Sequence, residues 1–204
     1  MEYKETRKLF YGTYRHKIVL LVGSSFLFRE KDVLLAIERH VRYNSRHNIK
    51  LSKHNSDVLE YAVLLATTLN TLTDFKIRIE SPYISIYSNN ESDILTLKDL
   101  NINNVIRVYN PIGEVDLEKD TIILPKVPFD YKVTINSVHQ RYPEFVEWAF
   151  NLKKARMTRS CRQGLIIGYS YSSVYFYISG DNNLLLAKLH LGNSISKIEK
   201  IVKS

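Results

Sequence analysis

The order of secondary-structure elements that the sequence predicts runs twice along the chain, and this repeat restricts the possible folds more than any other feature. The first half begins with an apolar stretch at 14–22, rich in β-branched side chains and typical of a buried strand. Apolar periodicity then predicts two helices, a hairpin, a short helix and a strand. Their ranges are 30–45, 56–72, 75–88, 91–100 and 105–109.

The second half repeats this order after a stretch that contains prolines. A strand comes first, followed by a helix, a hairpin, a second helix and a last strand. Their predicted ranges are 129–137, 143–159, 164–170 paired with 174–179, 181–191 and 195–202. Each half is therefore expected to fold as a sheet with helices packed on it.

The repeated βαββαβ order resembles the ferredoxin-like plan, which RNA-recognition (RRM-like) modules share. The resemblance implies an antiparallel sheet with helices on one face and the other face free. We therefore predict an α+β chain of two ferredoxin-like units in tandem. The first unit, with an extra helix, covers 1–110, an acidic linker with prolines covers 111–128, and the second unit, with a basic helix, covers 129–204. Residues 121–124 are expected to add an edge strand.

Charge is distributed unevenly along the 204 residues, whose formal net charge is +8. Residues 1–54 contain 12 Lys or Arg against 5 Asp or Glu, and residues 132–204 contain 11 against 4. Residues 55–131 reverse the balance, with 6 against 12. Two basic blocks favour an anionic partner such as RNA or single-stranded DNA. They also allow self-association, in which the acidic 55–131 region of one copy meets a basic end of another.

The densest basic cluster lies within 151–163, a stretch without acidic residues. A helix at 143–159 would place three of its cations on one side, which suits contacts to phosphates. The alternative is a solvated helix end whose cations complement the helix dipole. The predicted nucleic-acid contact set is Lys153, Lys154, Arg156, Arg159 and Arg162. A second set, on the helix predicted at 30–45, is Arg39, Arg42 and Arg46.

Tyrosines alternate with other residues on the central strands of both halves. Side chains with this spacing occupy one face of a sheet, and aromatic rings beside cations can stack on nucleic-acid bases. The stacking candidates are Tyr83, Tyr87, Tyr175 and Tyr177. The same side chains suit packing on half-buried sheet faces, so stacking and packing both remain open.

Two ferredoxin-like units in 204 residues also resemble the repeat-processing endoribonucleases of CRISPR systems. That resemblance implies RNA cleavage without a metal ion, with a histidine in general acid–base catalysis. The candidate histidines are His16 and His139. The sequence contains no P-loop, dinucleotide-binding or nucleophile-elbow motif, so binding is preferred to catalysis as the main activity.

The lone cysteine, Cys161, excludes an intrachain disulfide and a cysteine-rich zinc site. A chain with one cysteine suits a reducing compartment, so we expect a cytoplasmic location in a bacterial or host cell. The histidines have no metal-ligand spacing, so we expect no metal and no cofactor. The apolar runs are shorter than the ~18 residues of a membrane-spanning helix, and the first residues do not resemble a secretion signal. The competing class is a structural or interaction subunit of a viral, phage or ribonucleoprotein assembly.

Overall fold

The structure, a computed structural model, describes residues 1–47, 53–113 and 117–203. The chain divides into two compact units, Met1–Glu114 and Val115–Ser204. Among the described residues, each unit has one five-stranded sheet and three α-helices. The chain is therefore of the α+β class, with two sheet-and-helix units in tandem. None of its described helices combines the length and apolar composition needed to cross a membrane.

Unit 1 is built on a sheet with four consecutive antiparallel strands and a fifth, parallel strand at one edge. Its elements are β1 (Glu2–Thr6), β2 (His16–Leu21), α1 (Val33–Arg46), α2 (Lys53–Leu69), β3 (Phe75–Glu80), β4 (Tyr83–Ser88), α3 (Glu91–Leu100) and β5 (Val105–Pro111). The strand order is β1-β5-β2-β4-β3, and β1 is the strand parallel to its neighbour. The hairpin predicted within 75–88 is therefore confirmed as β3 and β4.

Alternation along the strands of unit 1 separates two faces of the sheet. Ile18 and Leu20 of β2 pair with Ile86 and Ile84 of β4, and all four side chains are fully buried. They belong to one hydrophobic core with residues of α2 and α3. The alternate residues of β2, Lys17 and Val19, lie on the opposite face, away from this core.

Unit 2 has the same sheet plan. Its elements are β6 (Thr121–Ile123), β7 (Tyr131–Ile135), α4 (Pro143–Asn151), β8 (Ala155–Met157), α5 (Arg159–Ile167), β9 (Val174–Ile178), α6 (Asp181–Leu191) and β10 (Ile195–Val202). The strand order is β6-β10-β7-β9-β8, in which β6 is parallel to β10 and the other neighbours are antiparallel. Val133 of β7 pairs with Phe176 of β9, and both are fully buried in the core.

The two sheets match strand for strand. In each, the first strand lies parallel to the last at one edge, and the order continues with the second, fourth and third strands. The later elements also keep a constant spacing, because α6 begins 90 residues after α3 and β10 begins 90 residues after β5. The same offset relates Tyr87 of β4 to Tyr177 of β9. The sheet topology therefore repeats, although the predicted order of elements does not hold in unit 2, where α5 lies between β8 and β9.

The units differ in the connections between their strands. In unit 1, two helices, α1 and α2, link β2 to β3, while only Ser81 and Pro82 join β3 to β4. In unit 2, one helix, α4, links β7 to β8, and residues 158–173, which include α5, join β8 to β9. The strand order is the same despite these different connections.

The helix predicted at 143–159 ends at Asn151, so the prediction is wrong for its last residues. Residues 155–157 instead form β8, an edge strand that pairs with β9. Ala155 and Met157 pack against the core of unit 2, whereas Arg156 between them is exposed. Burial of alternate residues by the sheet outweighs the favourable helix propensity of these residue types.

The strand predicted at 164–170 is also wrong, because α5 continues through its first half. The Thr158 side chain begins α5 by accepting a hydrogen bond from the backbone N–H of Cys161 at 3.2 Å. Cys161 and Leu165, one helical turn apart, are fully buried. Gly168 ends the helix in a left-handed conformation with φ of +82°. The antiparallel partner of β9 at this edge is therefore β8.

Each sheet is mixed rather than purely antiparallel, which corrects the predicted plan at one edge. The sequence does not predict β1, because Glu2–Thr6 has no apolar alternation and four of its five residues are exposed. The edge strand expected at 121–124 is confirmed as β6. Each added strand satisfies backbone hydrogen-bonding groups of β5 or β10 that would otherwise lie at the edge of the sheet.

Candidate nucleic-acid interface

The five cations of the predicted main contact set lie on three consecutive segments of unit 2 rather than on one helix. Lys153 and Lys154 lie in the turn after α4, Arg156 lies on β8, and Arg159 and Arg162 lie on α5. All five residues are exposed. The structure therefore places them on an edge strand and on the segments before and after it. We call this set the β8 basic cluster.

No cation of the β8 basic cluster forms an ion pair with a carboxylate among the residues that the structure describes. Other cations do form such pairs, for example Arg107 with Glu2 and Arg78 with Glu80. Cations that lie close together on one short stretch repel each other when no carboxylate offsets their positive charge. An anionic ligand would relieve this repulsion.

Buried residues of α5 determine the direction of its two arginines. Cys161 and Leu165 belong to the core of unit 2, so Arg159 and Arg162 lie on the exposed side of the helix. Burial raises the pKa of the Cys161 thiol to about 12. The thiol therefore remains protonated at neutral pH and is a poor nucleophile, because the thiolate is the reactive form.

An exposed phenylalanine that the sequence analysis does not single out lies beside the β8 basic cluster. Phe150, near the end of α4, is 71% exposed. The guanidinium carbon of Arg162 lies 4.8 Å from the centre of its ring, a distance typical of a cation–π contact. A cavity of about 270 Å³ opens beside the ring and is lined by residues of α4, β8 and α5. The sequence signal for this residue is a large aromatic side chain that lies outside the apolar side of the helix predicted at 143–159.

The two stacking candidates of unit 2 are partly buried on the sheet face opposite the core. The ring of Phe129 stacks on Tyr177, with 5.9 Å between ring centres and 14° between the planes. Lys132 Nζ lies 4.7 Å from the ring centre of Tyr175 and 3.9 Å from an oxygen of Glu199. Both tyrosines therefore make contacts within unit 2, and Tyr177 packs against a second, small core.

Tyr87, the counterpart of Tyr177 in unit 1, is covered more completely. It is 3% exposed, and the rings of Phe10, Tyr11 and Tyr14 lie 5.4, 5.0 and 6.4 Å from its own. Burial, together with a hydrogen bond to Tyr11, raises the pKa of Tyr87 to about 12. A base could reach this ring only after the loop between β1 and β2 moves. Tyr83, by contrast, is 42% exposed.

The second predicted set of cations is exposed on α1 of unit 1. Its members are Arg39, Arg42 and Arg46. Arg42 forms an ion pair with Glu38, one helical turn earlier, so part of the positive charge of this set is offset. The β8 basic cluster is therefore the stronger of the two candidate anion-binding surfaces.

The two candidate catalytic histidines differ in accessibility. His16 begins β2, is 8% exposed, and its Nδ1 lies 3.3 Å from the side-chain oxygen of Asn110. His139 is exposed and lines a cavity of about 850 Å³ in unit 2 together with His190. RNA cleavage by a histidine stays a prediction, and His139 is the more accessible of the two candidates.

Within residues 1–47, 53–113 and 117–203, no group of three or more His, Cys, Asp or Glu residues is placed to hold a metal ion. No family model, no curated protein and no solved structure matches this chain.

Proposed function

We propose that this chain binds RNA or single-stranded DNA, mainly through contacts between phosphates and the β8 basic cluster. The observation that carries the proposal is the exposure of five cations on one short stretch without a carboxylate partner among the described residues. Three of the five are arginines, whose planar guanidinium groups can donate two hydrogen bonds to one phosphate. A phosphate backbone passing along this edge would contact several of them at once.

A single strand fits this surface better than a duplex does. The cations lie on a turn, a strand of three residues and the start of a nine-residue helix, so no long basic helix is presented to a major groove. The exposed ring of Phe150 lies beside them. Proteins that bind single strands commonly combine a basic surface with exposed aromatic side chains, because the bases of a single strand are accessible.

We also propose that both units are ferredoxin-like. The support is the antiparallel strand order β5-β2-β4-β3 in unit 1 and β10-β7-β9-β8 in unit 2. When the four antiparallel strands are counted along the chain, both orders are fourth, first, third and second, as the split βαβ plan requires. Because this plan hosts many activities, the proposed function rests on the β8 basic cluster rather than on the fold.

Binding of the wild-type chain to labelled oligouridine, oligothymidine and a duplex tests the proposed function. We expect both single strands to bind more tightly than the duplex, measured by fluorescence anisotropy. Five phosphate contacts predict a slope of about −3.5 for the logarithm of the binding constant against that of salt concentration, since each contact on a single strand contributes about −0.7. Absence of single-strand binding at about 50 mM salt would contradict the proposal.

A second candidate function, self-association within an assembly, is favoured by the outer face of α6. Leu185, Leu186 and Leu189 are 57%, 42% and 73% exposed. The positions 90 residues earlier, on α3, are occupied by Leu95, Thr96 and Asp99, so the apolar face is larger on α6. The proposed occupant of this face is α6 of a second copy. An antiparallel helix pair brings the acidic first turn of each copy near the basic last turn of the other.

The variant Leu185→Gln/Leu189→Gln tests this second function. We expect the wild-type chain, freed of nucleic acid, to dimerise as its concentration rises in light scattering, and the variant to remain monomeric, since it loses buried apolar area. The matched control is Leu95→Gln on α3, which should dimerise like the wild type. A wild-type chain that stays monomeric at every concentration rules this candidate out.

A further inference from the structure

We infer that Phe150 and the cavity beside it form a binding site for one nucleobase of a single-stranded nucleic acid. The inference rests on the proposed function, because the β8 basic cluster must bring the strand to this place. It goes further by assigning a recognition site for an unpaired base, in addition to contacts with the phosphates.

Phe150 leaves most of its ring exposed to water. A phenylalanine buries a large apolar area in most folded proteins, yet this ring is 71% exposed. Phe145 on the same helix is 1% exposed and packs in the core, so α4 does not need Phe150 to pack against unit 2. An aromatic ring left in water beside cations is a suitable surface for stacking a base.

The cavity beside the Phe150 ring has both apolar and cationic lining residues. Its apolar wall includes Val146, Ala149 and Met157, and its volume is about 270 Å³. Arg156 and Arg162 also line it. A planar heterocycle therefore finds apolar walls and an aromatic ring for its faces, and cationic groups for its edges and for the attached phosphate.

Arg162 lies against the Phe150 ring. Its guanidinium carbon lies 4.8 Å from the Phe150 ring centre, and the side chain has no ion-pair partner among the described residues. The contact with the ring limits the freedom of the guanidinium, while its N–H groups remain available to a phosphate oxygen. One residue can thus help to orient the ring and contact the backbone of the same nucleotide.

This geometry accepts an unpaired base and excludes a paired one. In a duplex, each base is stacked between its neighbours and cannot enter a side cavity unless it is flipped out of the helix. A fully abasic oligonucleotide should therefore lose the part of the affinity that Phe150 provides. It should keep the part that the phosphates provide.

The test uses the full chain and an oligouridine that contains a single 2-aminopurine, whose fluorescence is quenched on stacking. We expect the wild-type chain to quench it, and Phe150→Ala to bind about 5- to 150-fold more weakly, the range measured for loss of one base–aromatic stack. Phe150→Leu, which keeps apolar volume, should weaken binding similarly, whereas Phe150→Trp should retain it. All variants should keep the wild-type salt slope, because no phosphate contact is removed.

Phe26→Ala in unit 1 is the matched control, since Phe26 is also exposed, at 48%. It should bind like the wild type. If Phe150→Ala and Phe150→Leu bind and quench as the wild type does, the nucleobase site is refuted while phosphate binding stands. If the wild-type chain binds no single strand at low salt, the proposed function fails, and the nucleobase site fails with it.

Discussion

Replacing Lys153, Arg156 and Arg159 together by alanine is expected to lower the affinity for single-stranded RNA by about 10- to 150-fold. Each exposed charge contact is worth roughly 0.5–1 kcal/mol, and the three together give about 1.5–3 kcal/mol. The salt slope should become less steep by about 2, because three phosphate contacts of about 0.7 each are lost. Anisotropy titrations at several salt concentrations measure both quantities.

A control variant separates local contacts from the effect of net charge. Lys188→Ala/Lys200→Ala/Lys203→Ala removes the same charge from exposed positions of unit 2 outside the β8 basic cluster. We expect this control to lose less than about threefold, because long-range attraction alone is largely screened at about 0.15 M salt. Equal losses in the two triple variants would show that the cluster is not a specific contact surface.

Replacing Phe176 by alanine is expected to lower the free energy of unfolding of unit 2 by about 3–5 kcal/mol. Phe176 is fully buried on β9, and its ring lies 5.3 Å from that of Phe145 in an edge-to-face contact. The change leaves a cavity in the centre of the core. Urea denaturation followed by circular dichroism measures the loss.

Phe150→Ala is the matched control for this prediction, since the same residue type is removed from the surface of the same unit. It loses a contact with Arg162 and little buried area, so the free energy of unfolding should fall by about 1 kcal/mol or less. The pair of variants tests whether Phe176 lies in the core of unit 2 and Phe150 on its surface. If Phe150→Ala destabilises unit 2 as much as Phe176→Ala does, Phe150 belongs to the core and is not free to stack on a base.

Elements with strong local signals could be predicted closely from the sequence. The helix predicted at 91–100 and the helix at 181–191 have the bounds of α3 and α6, and the last strand has the bounds of β10. A turn residue precedes each helix, and buried apolar residues recur three or four positions apart in both, although α6 also has apolar residues on its outer face. Local sequence preference and tertiary packing agree in these segments.

Residues 152–170 could not be predicted in the same way, because packing decides their structure. Lys153 to Met157 have favourable helix propensity, but the edge of β9 pairs with β8 and makes an extended conformation more stable. The later part, from Gly164 to Ile167, has strand-like composition but forms the end of α5, whose buried residues lie one turn apart. In the sequence, this helix is marked by Thr158 as its N-cap and by Gly168 at its end.

The candidate site could be predicted in its charges but not in its aromatic component. The five cations of the β8 basic cluster are exposed, although three segments rather than one helix present them. Strand alternation identifies the sheet face of Tyr87 but not its cover, because Phe10 and Tyr11 come from a distant part of the sequence. Phe150 is missed because a helical pattern shows which residues can be buried, and not which exposed ring lies beside a cation.

The different connections between the third and fourth strands of the two units show where the same sheet plan can carry different surface groups. In unit 1 the connection has two residues, whereas in unit 2 it spans 158–173 and includes α5, with Arg159 and Arg162. Both connections are compatible with the same strand order, so this segment can differ in length without a change in the sheet. Two units can therefore differ in surface chemistry at this connection while both sheets keep the same strand order.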